Sequence, residues 1–293
     1  MFDQYLVTGA TGFLGRAVAE ELVRRRAQVH ALVLRDRPLY PFASPKSPIP
    51  VIGDVCVESV VDSTSLADAD SRTCVIHCAG IVSVASRPGS KLYQVNVGGT
   101  WRVLRQCMEH DVGKMVYVSS VHAIPEKSKD CIITEDCEFS PGLVDGDYAK
   151  SKATATELVF DAAERGLNAS IVFPSGIIGP GDMQGGSFTS MAKSFLAESC
   201  PLPFAADMTS WMYGMWQKAF STVPRTENPV RDTFCPATML PFARCFSLWE
   251  RPQSGSIAPI CLPLGLAKLA APYYEHRSLK KRKPLFFTPY SVA

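Results

Sequence analysis

Tyr148 and Lys152 stand four residues apart in "YAKSK" (148–152), inside a stretch, 147–165, patterned as a helix. That spacing puts both side chains on one helix face. The pair has a chemical use. A free tyrosine titrates near pH ~10, too high for ready proton exchange at neutral pH, and a neighbouring ammonium stabilises its phenolate. Tyr148 can then give a proton to a carbonyl being reduced, or take one from an alcohol being oxidised. A bare YxxxK pattern also describes surface tyrosines, so the pair means something only if a site surrounds it.

A second group of residues lies at the other end of the chain. In "QYLVTGATGFLGRAVAEELVRRRAQVHALVL" (4–34), Tyr5 to Val7 read as a strand, apolar residues recur at helical spacing from Phe13, and Val29 to Leu34 read as a second strand. Gly9, Gly12 and Gly15 fall at the strand-to-helix join. Gly9 allows the tight turn, Gly12 lets a pyrophosphate approach the backbone, and Gly15 lets helix and strand pack closely. The helix start offers N–H groups and a positive dipole end to phosphates. Context makes this motif more than a glycine-rich turn: the strand precedes it and the helix follows.

Further strand-like segments are "PVIGDV" (50–55), "TCVIHCAG" (73–80), "KMVYVSS" (114–120) and "NASIVFPSG" (168–176), with helical patterns over 90–110 and 147–165. Such alternation predicts an α/β fold with a doubly wound parallel sheet and ligands at the carboxyl ends of the strands. We expect a cofactor domain over 1–180 and a smaller substrate lobe over 181–293.

The composition is ordinary: 46% hydrophobic and 20% charged in 293 residues. A net charge of +2 argues against nucleic acid as a partner, and the basic run "HRSLKKRK" (276–283) reads as a solvated helix end. The ten cysteines show no disulfide framework and no CxxC pair, so packing explains Cys74 and Cys78 better than metal does. A strand and glycine motif so near Met1 leave no room for a signal peptide. "IAPICLPLGLAKLAAP" (257–272) is too short and broken to span a bilayer. The expectation is a cytoplasmic protein with no membrane partner.

"TGATGFLG", "GDV", "HCAG", "NVGGT", "YVSS" and "YAKSK", in this order, resemble the extended short-chain dehydrogenase/reductase superfamily. The nearest group is the NAD-dependent epimerase/dehydratase family, in its dihydroflavonol reductase and 3β-hydroxysteroid dehydrogenase-like branch. The resemblance covers residues 1 to about 200 and implies a Rossmann-type sheet and an NAD(P)-dependent dehydrogenase or reductase. It makes Tyr148 the acid/base, and gives Lys152 the lowering of the tyrosine pKa and the hold on the nicotinamide ribose. Of Ser119 and Ser120 it favours Ser120 for the substrate oxygen. It further implies cofactor contacts from Gly9, Gly12, Phe13, Leu14 and Gly15 at the phosphates, and from Asp54 and Val55 at the adenine. Cys78, Ala79 and Gly80 would pass beneath the cofactor, Asn96 would lie near the lysine, and Pro174 and Ser175 would meet the nicotinamide. His77 reads as packed rather than catalytic. The partner is a small-molecule substrate, and a homodimer is compatible with the pattern.

Cofactor type turns on the end of the second strand, where NAD sites place an acid and NADP sites an arginine. "LVLRDRP" puts Leu34 at that position with Arg35 just after it, and Arg35, helped by Arg16, gives a slight lean to NADP, while Asp36 keeps NAD open. Nucleotide-sugar enzymes of the resembled family carry an arginine and an asparagine near the sixth strand. "VFPSGIIGPGD" (172–182) has neither, which favours a phosphate-free ketone or alcohol of steroid- or flavanonol-like kind. A nucleotide-sugar epimerase or dehydratase is the alternative enzyme, and an inactive cofactor-binding protein the alternative of another class.

"DMTSWMYGMWQKAFSTVP" (207–224) gathers two tryptophans, three methionines and a tyrosine. As a helix it would present Trp211, Met212, Met215 and Trp216 on one face, as a substrate lid does, but ordinary core packing and a third reading compete. Met and Trp each have a single codon, so "WMYGMWQKA" back-translates almost uniquely. Read one nucleotide earlier and extended back through "DMTS", it is compatible with F-V-D-V-R-D-V-A-K-G, a segment the resembled family has at this point. The same shift makes "DTFCPATML" (232–240) compatible with Y-I-L-S-G, another such segment. We therefore expect that about 205–255 is translated out of frame between two compensating shifts, leaving a damaged substrate lobe. The family's chains also continue beyond "FTPYSVA", so a truncated C-terminus is expected. No site residue is assigned here.

Overall fold

The computed structural model describes residues 2–36, 47–57, 69–83, 85, 89–125 and 138–178. It also describes short pieces at 181–182, 186, 189–190, 207–208, 210–212, 240–241, 272–277 and 280. The chain divides into two compact units, the described part of the first running to Pro174.

The first unit is built on a six-stranded parallel sheet. Its strands are β1 (Gln4–Thr8), β2 (Gln28–Val33), β3 (Ile49–Ile52), β4 (Thr73–His77), β5 (Lys114–Val118) and β6 (Ala169–Val172). Their order is β3-β2-β1-β4-β5-β6. The chain winds outward from β1 to one edge and returns to lay β4 against the other side of β1. The strand direction of travel therefore reverses between β1 and β4, the crevice where doubly wound sheets bind ligands. Register brings Thr8 level with Leu32 on one side and His77 on the other.

The inner strands are near-continuous apolar runs because both sheet faces are covered. Every residue of β4 and β5 is buried. The edge strand β3 is mostly exposed and contains Pro50, which an edge tolerates because no ladder donor is needed there. Helix α1 (Phe13–Arg24) turns Ala17, Val18 and Leu22 inward, whereas Phe13 and Leu14 at its start stay half-buried. A three-residue helical turn, Lys91–Tyr93, runs through a π-turn, Gln94–Gly99, into α2 (Thr100–Glu109). Helix α3 (Asp147–Glu164) buries Ala149, Ala153, Ala155, Val159 and Ala162, small side chains that let it lie close to its neighbours.

All four later strand-like segments end earlier than their sequence suggests, 114–120 at Val118 and 168–176 at Val172 among them. In 50–55 the strand stops at Ile52, because Asp54 turns the chain: its Oδ1 accepts from the Cys56 N–H at 2.8 Å and its carbonyl from the Val57 N–H at 3.0 Å. In 73–80 the strand stops at His77, and Cys78 to Gly80 leave as irregular chain.

The described part of the second unit consists of short elements. Strand β7 (Gly176–Ile178) pairs in parallel with β9 (Ser210–Met212), and β8 (Asp207–Met208) pairs antiparallel with β10 (Leu240–Pro241). Trp211 and Met212 thus lie on a strand, not on the helix weighed for them. Met215, Trp216 and most of 205–255 fall outside the described residues. Among the described residues, no helix is long and apolar enough to cross a membrane.

Candidate active site

Five chain segments meet at the carboxyl ends of β1, β4 and β5. The turn after β1 is the first. Gly9 has φ +67°, a conformation side chains rarely adopt, and a Cβ there would sit 2.7 Å from the Ala79 nitrogen. A Cβ on Gly15 would run into the Gly9 carbonyl oxygen. The Gly12 N–H closes the turn on that same oxygen at 2.9 Å. Helix α1 then begins with Gly12 as its cap, no capping side chain and no acid in its first turn. Its positive end meets an approaching anion without local competition. This cradle fits the pyrophosphate of a dinucleotide.

On the far side of β1, Arg35 and Asp36 follow β2 and are both exposed. Asp54 and Val55 follow β3. Val55 is 6% exposed and packs against Gly99 so closely that a Cβ there would lie 2.8 Å from its Cγ2.

The chain leaving β4 is tied to the glycine turn through Thr8 and His77. Thr100 Oγ1 donates to the Asn96 carbonyl at 2.7 Å, so it accepts from His77 Nε2 at 3.0 Å. The imidazole proton is therefore assigned to Nε2, and Nδ1 accepts from the Thr8 hydroxyl at 2.6 Å. Thr8 Oγ1 in turn accepts from the Ala79 N–H at 3.2 Å. Burial drives the His77 pKa down to about 3, with the Lys152 charge adding to the effect, so the ring is neutral and both nitrogens are satisfied. It holds β1, the Cys78–Gly80 segment and the π-turn together.

Asn96 sits in that π-turn, a helix irregularity often found at functional sites. Its Oδ1 accepts from the Ile81 N–H at 2.8 Å, and its Nδ2 donates to the Ile81 carbonyl and to Ser151 Oγ, both at 3.0 Å. Ser151 passes this on by donating to the Tyr148 carbonyl at 2.7 Å. The Asn96 amide thus fixes the backbone beside Gly80 and the first turn of α3 at once.

Lys152 and Tyr148 are both buried on α3, at 5% and 8% exposure. Lys152 Nζ donates to the Val118 carbonyl at 2.8 Å. A Cβ on Gly80 would approach Nζ to 3.3 Å and Asn96 Oδ1 to 3.4 Å, so a glycine keeps this corner open. Burial lowers the Lys152 pKa to about 8, partly opposed by Cys78. Burial likewise pushes the Cys78 thiol up to about 12, with Lys152 opposing. At neutral pH the lysine is a cation beside a neutral thiol.

The two serines after β5 differ in their partners. Thr156 Oγ1 donates to the Lys152 carbonyl at 2.8 Å, so Ser119 donates to Thr156 at 2.7 Å and pins α3 to the strand. Ser120 Oγ accepts from the His122 N–H at 3.3 Å, which leaves its own proton to another acceptor. The His122 ring lies edge-on to Tyr148 at 6.1 Å. Pro174 receives the Val121 N–H on its carbonyl at 3.0 Å. Ser175 opens the second unit, its buried hydroxyl without a partner among the described residues.

The first unit therefore gathers Gly9, Gly12, Gly15, Cys78, Ala79, Gly80, Asn96, Ser120, Tyr148 and Lys152 around one crevice, while Arg35 stands exposed past β2. The residues that sequence reasoning passed over are Thr8, Thr100, Ser151 and Thr156. Thr156 carried a signal, four residues after Lys152 on one helix face.

Three comparisons bear on this geometry. A model of the 3-beta hydroxysteroid dehydrogenase/isomerase family matches residues 6–213. "Sterol demethylase protein B" of Methylococcus capsulatus is 30% identical over 187 residues, 61% of this chain and 53% of that protein. "Putative dihydroflavonol 4-reductase" of Synechocystis is 27% identical over 282 residues, 91% of this chain and 78% of its own. Against several of the curated relatives it matches, the chain spans about half their length. Among solved structures, MoeE5 in complex with UDP-glucose and NAD superposes with a TM-score of 0.66 at 21% identity, covering 84% of this chain and 80% of that one; this likeness concerns the fold. The family match spans the glycine turn, the π-turn, the serines and the Tyr148–Lys152 helix, and the chain belongs to the 3-beta hydroxysteroid dehydrogenase/isomerase family of extended short-chain dehydrogenases/reductases.

Proposed function

We propose that the chain is an NAD(P)-dependent oxidoreductase acting on a hydroxyl or carbonyl group of a small, phosphate-free substrate of steroid- or flavanonol-like kind. The observation that carries this reading is the buried Lys152, fixed on the Val118 carbonyl one helical turn from Tyr148. The nicotinamide, when bound, supplies or accepts the hydride. The chain does the rest. The cradle of Gly9, Gly12 and Gly15 binds the pyrophosphate, with Phe13 and Leu14 beside it, and Asp54 and Val55 border the adenine. Cys78, Ala79 and Gly80 line the way to the ribose, which Lys152 holds. Asn96 acts by positioning, since its amide is engaged by Ile81 and Ser151. Pro174 and Ser175 border the nicotinamide.

With a pKa of about 8, Lys152 is charged at neutral pH, and its field favours the Tyr148 phenolate. Tyr148 gives or takes the proton at the substrate oxygen, and Ser120 donates a hydrogen bond to that oxygen. The exposed Arg35 supports a preference for NADP, with Asp36 beside it as the group that would accept NAD. The family name and the sterol-related relative support the substrate class.

The serine assignment has a direct test in nicotinamide absorbance assays with ketone substrates. Ser120→Ala is expected to lower kcat by on the order of 10²-fold, the usual effect of removing a donor aimed at the reacting oxygen. Ser119→Ala should instead lower stability by about 1 kcal/mol, through the lost bond to Thr156, and leave most turnover. A reversal of these two outcomes would assign the substrate to Ser119.

A second reading rests on a separate observation: the family match ends at residue 213, inside the tryptophan- and methionine-rich stretch of 207–224. We propose that about 205–255 is out of frame, in which case this chain binds cofactor without turning substrate over. Resequencing the gene across codons 200 to 260 should reveal two compensating shifts. An intact frame encoding "WMYGMWQKA" with flanking bases incompatible with the shifted string would overturn this.

A further inference from the structure

Tyr117 faces the same lysine but has no part in the chemistry above. It is the fourth residue of β5, next to Val118, whose carbonyl holds Lys152. Its side chain is fully buried, and Lys152 Nζ lies 5.1 Å from the ring centroid. The Tyr117 hydroxyl has no hydrogen-bond partner of proper geometry among the described residues. Thr100 is nearby, but its hydroxyl already donates to Asn96 and accepts from His77. An unpaired buried hydroxyl is destabilising, so the ring rather than the hydroxyl accounts for this residue's place.

We propose that Tyr117 is a positioning residue whose ring face holds the Lys152 ammonium in place and in its charged form. The ammonium has three protons. One goes to the Val118 carbonyl, and Nζ lies 5.1 Å from the Tyr117 ring centroid and beside the corner kept open by Gly80. Among the described residues no carboxylate pairs with Lys152. That matters for Tyr148. A carboxylate would neutralise the field the lysine casts on the phenol, whereas an aromatic face attracts a cation through its quadrupole and adds no net charge. The other titratable groups facing Lys152 are the neutral His77 and Cys78 at the end of β4 and Tyr148 on α3. The stacking of His77 on Tyr117, 5.8 Å between centroids at 26°, fixes the ring plane.

The proposal rests on Lys152 being the group that tunes Tyr148, and its test separates the two. In cofactor-free protein labelled with 13C-lysine, the Lys152 Cε resonance, assigned by its loss in Lys152→Met, is followed against pH. Tyr117→Phe keeps the ring and should leave the midpoint unmoved. Tyr117→Leu should lower it by roughly half to one and a half pH units, the range expected for a desolvated cation–π contact. Incorporation of 3,4,5-trifluorophenylalanine at position 117 preserves the shape while weakening the π face. It should lower the midpoint too, and it decides the matter if the leucine variant does not fold. The alkaline limb of kcat/KM should move with the midpoint in each variant. Equal midpoints for the phenylalanine and trifluorophenylalanine proteins overturn the ring's role. A midpoint that moves while the kinetic limb stays still overturns instead the catalytic part assigned to Lys152.

Discussion

Tyr148→Phe is expected to lower turnover by about 10²- to 10⁴-fold, the range that positioned acid–base catalysis supplies, and to leave cofactor affinity within a few-fold of wild type. The structure separates the two effects. The substitution removes one oxygen and keeps the ring that packs edge-on to His122. The backbone of the same residue stays fixed, because Ser151 holds the Tyr148 carbonyl and Asn96 holds Ser151. The proposed pyrophosphate cradle lies on other segments, anchored by Gly9, Gly15 and the Thr8–His77–Thr100 chain. Calorimetric titration with NADPH and NADH would read binding, and nicotinamide absorbance would read turnover. Turnover surviving in the phenylalanine variant would remove Tyr148 from the mechanism.

Lys152→Met should abolish turnover and yet make the folded chain more stable at neutral pH. Burial lowers the lysine pKa from 10.5 to about 8. Between those values the unfolded chain binds the proton that the folded chain has released, so wild-type stability rises with pH across this window. Below about pH 8 the folded state carries the full desolvation penalty, roughly 3 kcal/mol at most by linkage. Methionine removes that penalty and gives up the hydrogen bond to the Val118 carbonyl, about 1 kcal/mol. A net gain of about 1–2 kcal/mol at pH 7 follows, shrinking as pH rises through the window. Urea unfolding at pH 7 and pH 10 measures both ends. A methionine variant less stable than wild type at pH 7 would show that the lysine is not under the strain its burial implies. Function in this reading depends on a destabilising charge, a common feature of active sites.

What was legible in the sequence was mostly local. The strand–glycine–helix run of 4–34, the buried strands and the shared face of Tyr148 and Lys152 all follow from spacing within one element. The reach of the strands was less so. The segment 50–55 looks like one strand, but an Asx turn at Asp54 ends it at Ile52. Least legible were groups whose partners are remote in the chain. His77 closes an apolar strand pattern, and the partners that satisfy its ring nitrogens are Thr8, 69 residues away, and Thr100, 23 residues away. Spacing alone does not tell Ser119 from Ser120; the family resemblance favours Ser120, and the physical difference, Thr156 of α3 meeting Ser119, lies in the fold. Trp211 and Met212 could be read as a helix face, and pairing with Gly176–Ile178 makes them a strand.

The central claim is hydride transfer at the Tyr148 site. Purified chain can be incubated with NADPH or NADH deuterated at the transferring position, together with a panel of steroid and flavanonol-type ketones, and the products weighed by mass spectrometry. The account predicts one deuterium on the newly formed carbinol carbon in at least one product, and its loss in Tyr148→Phe. Saturable cofactor binding with no label in any product would contradict it, and so would label transfer undiminished by the phenylalanine substitution.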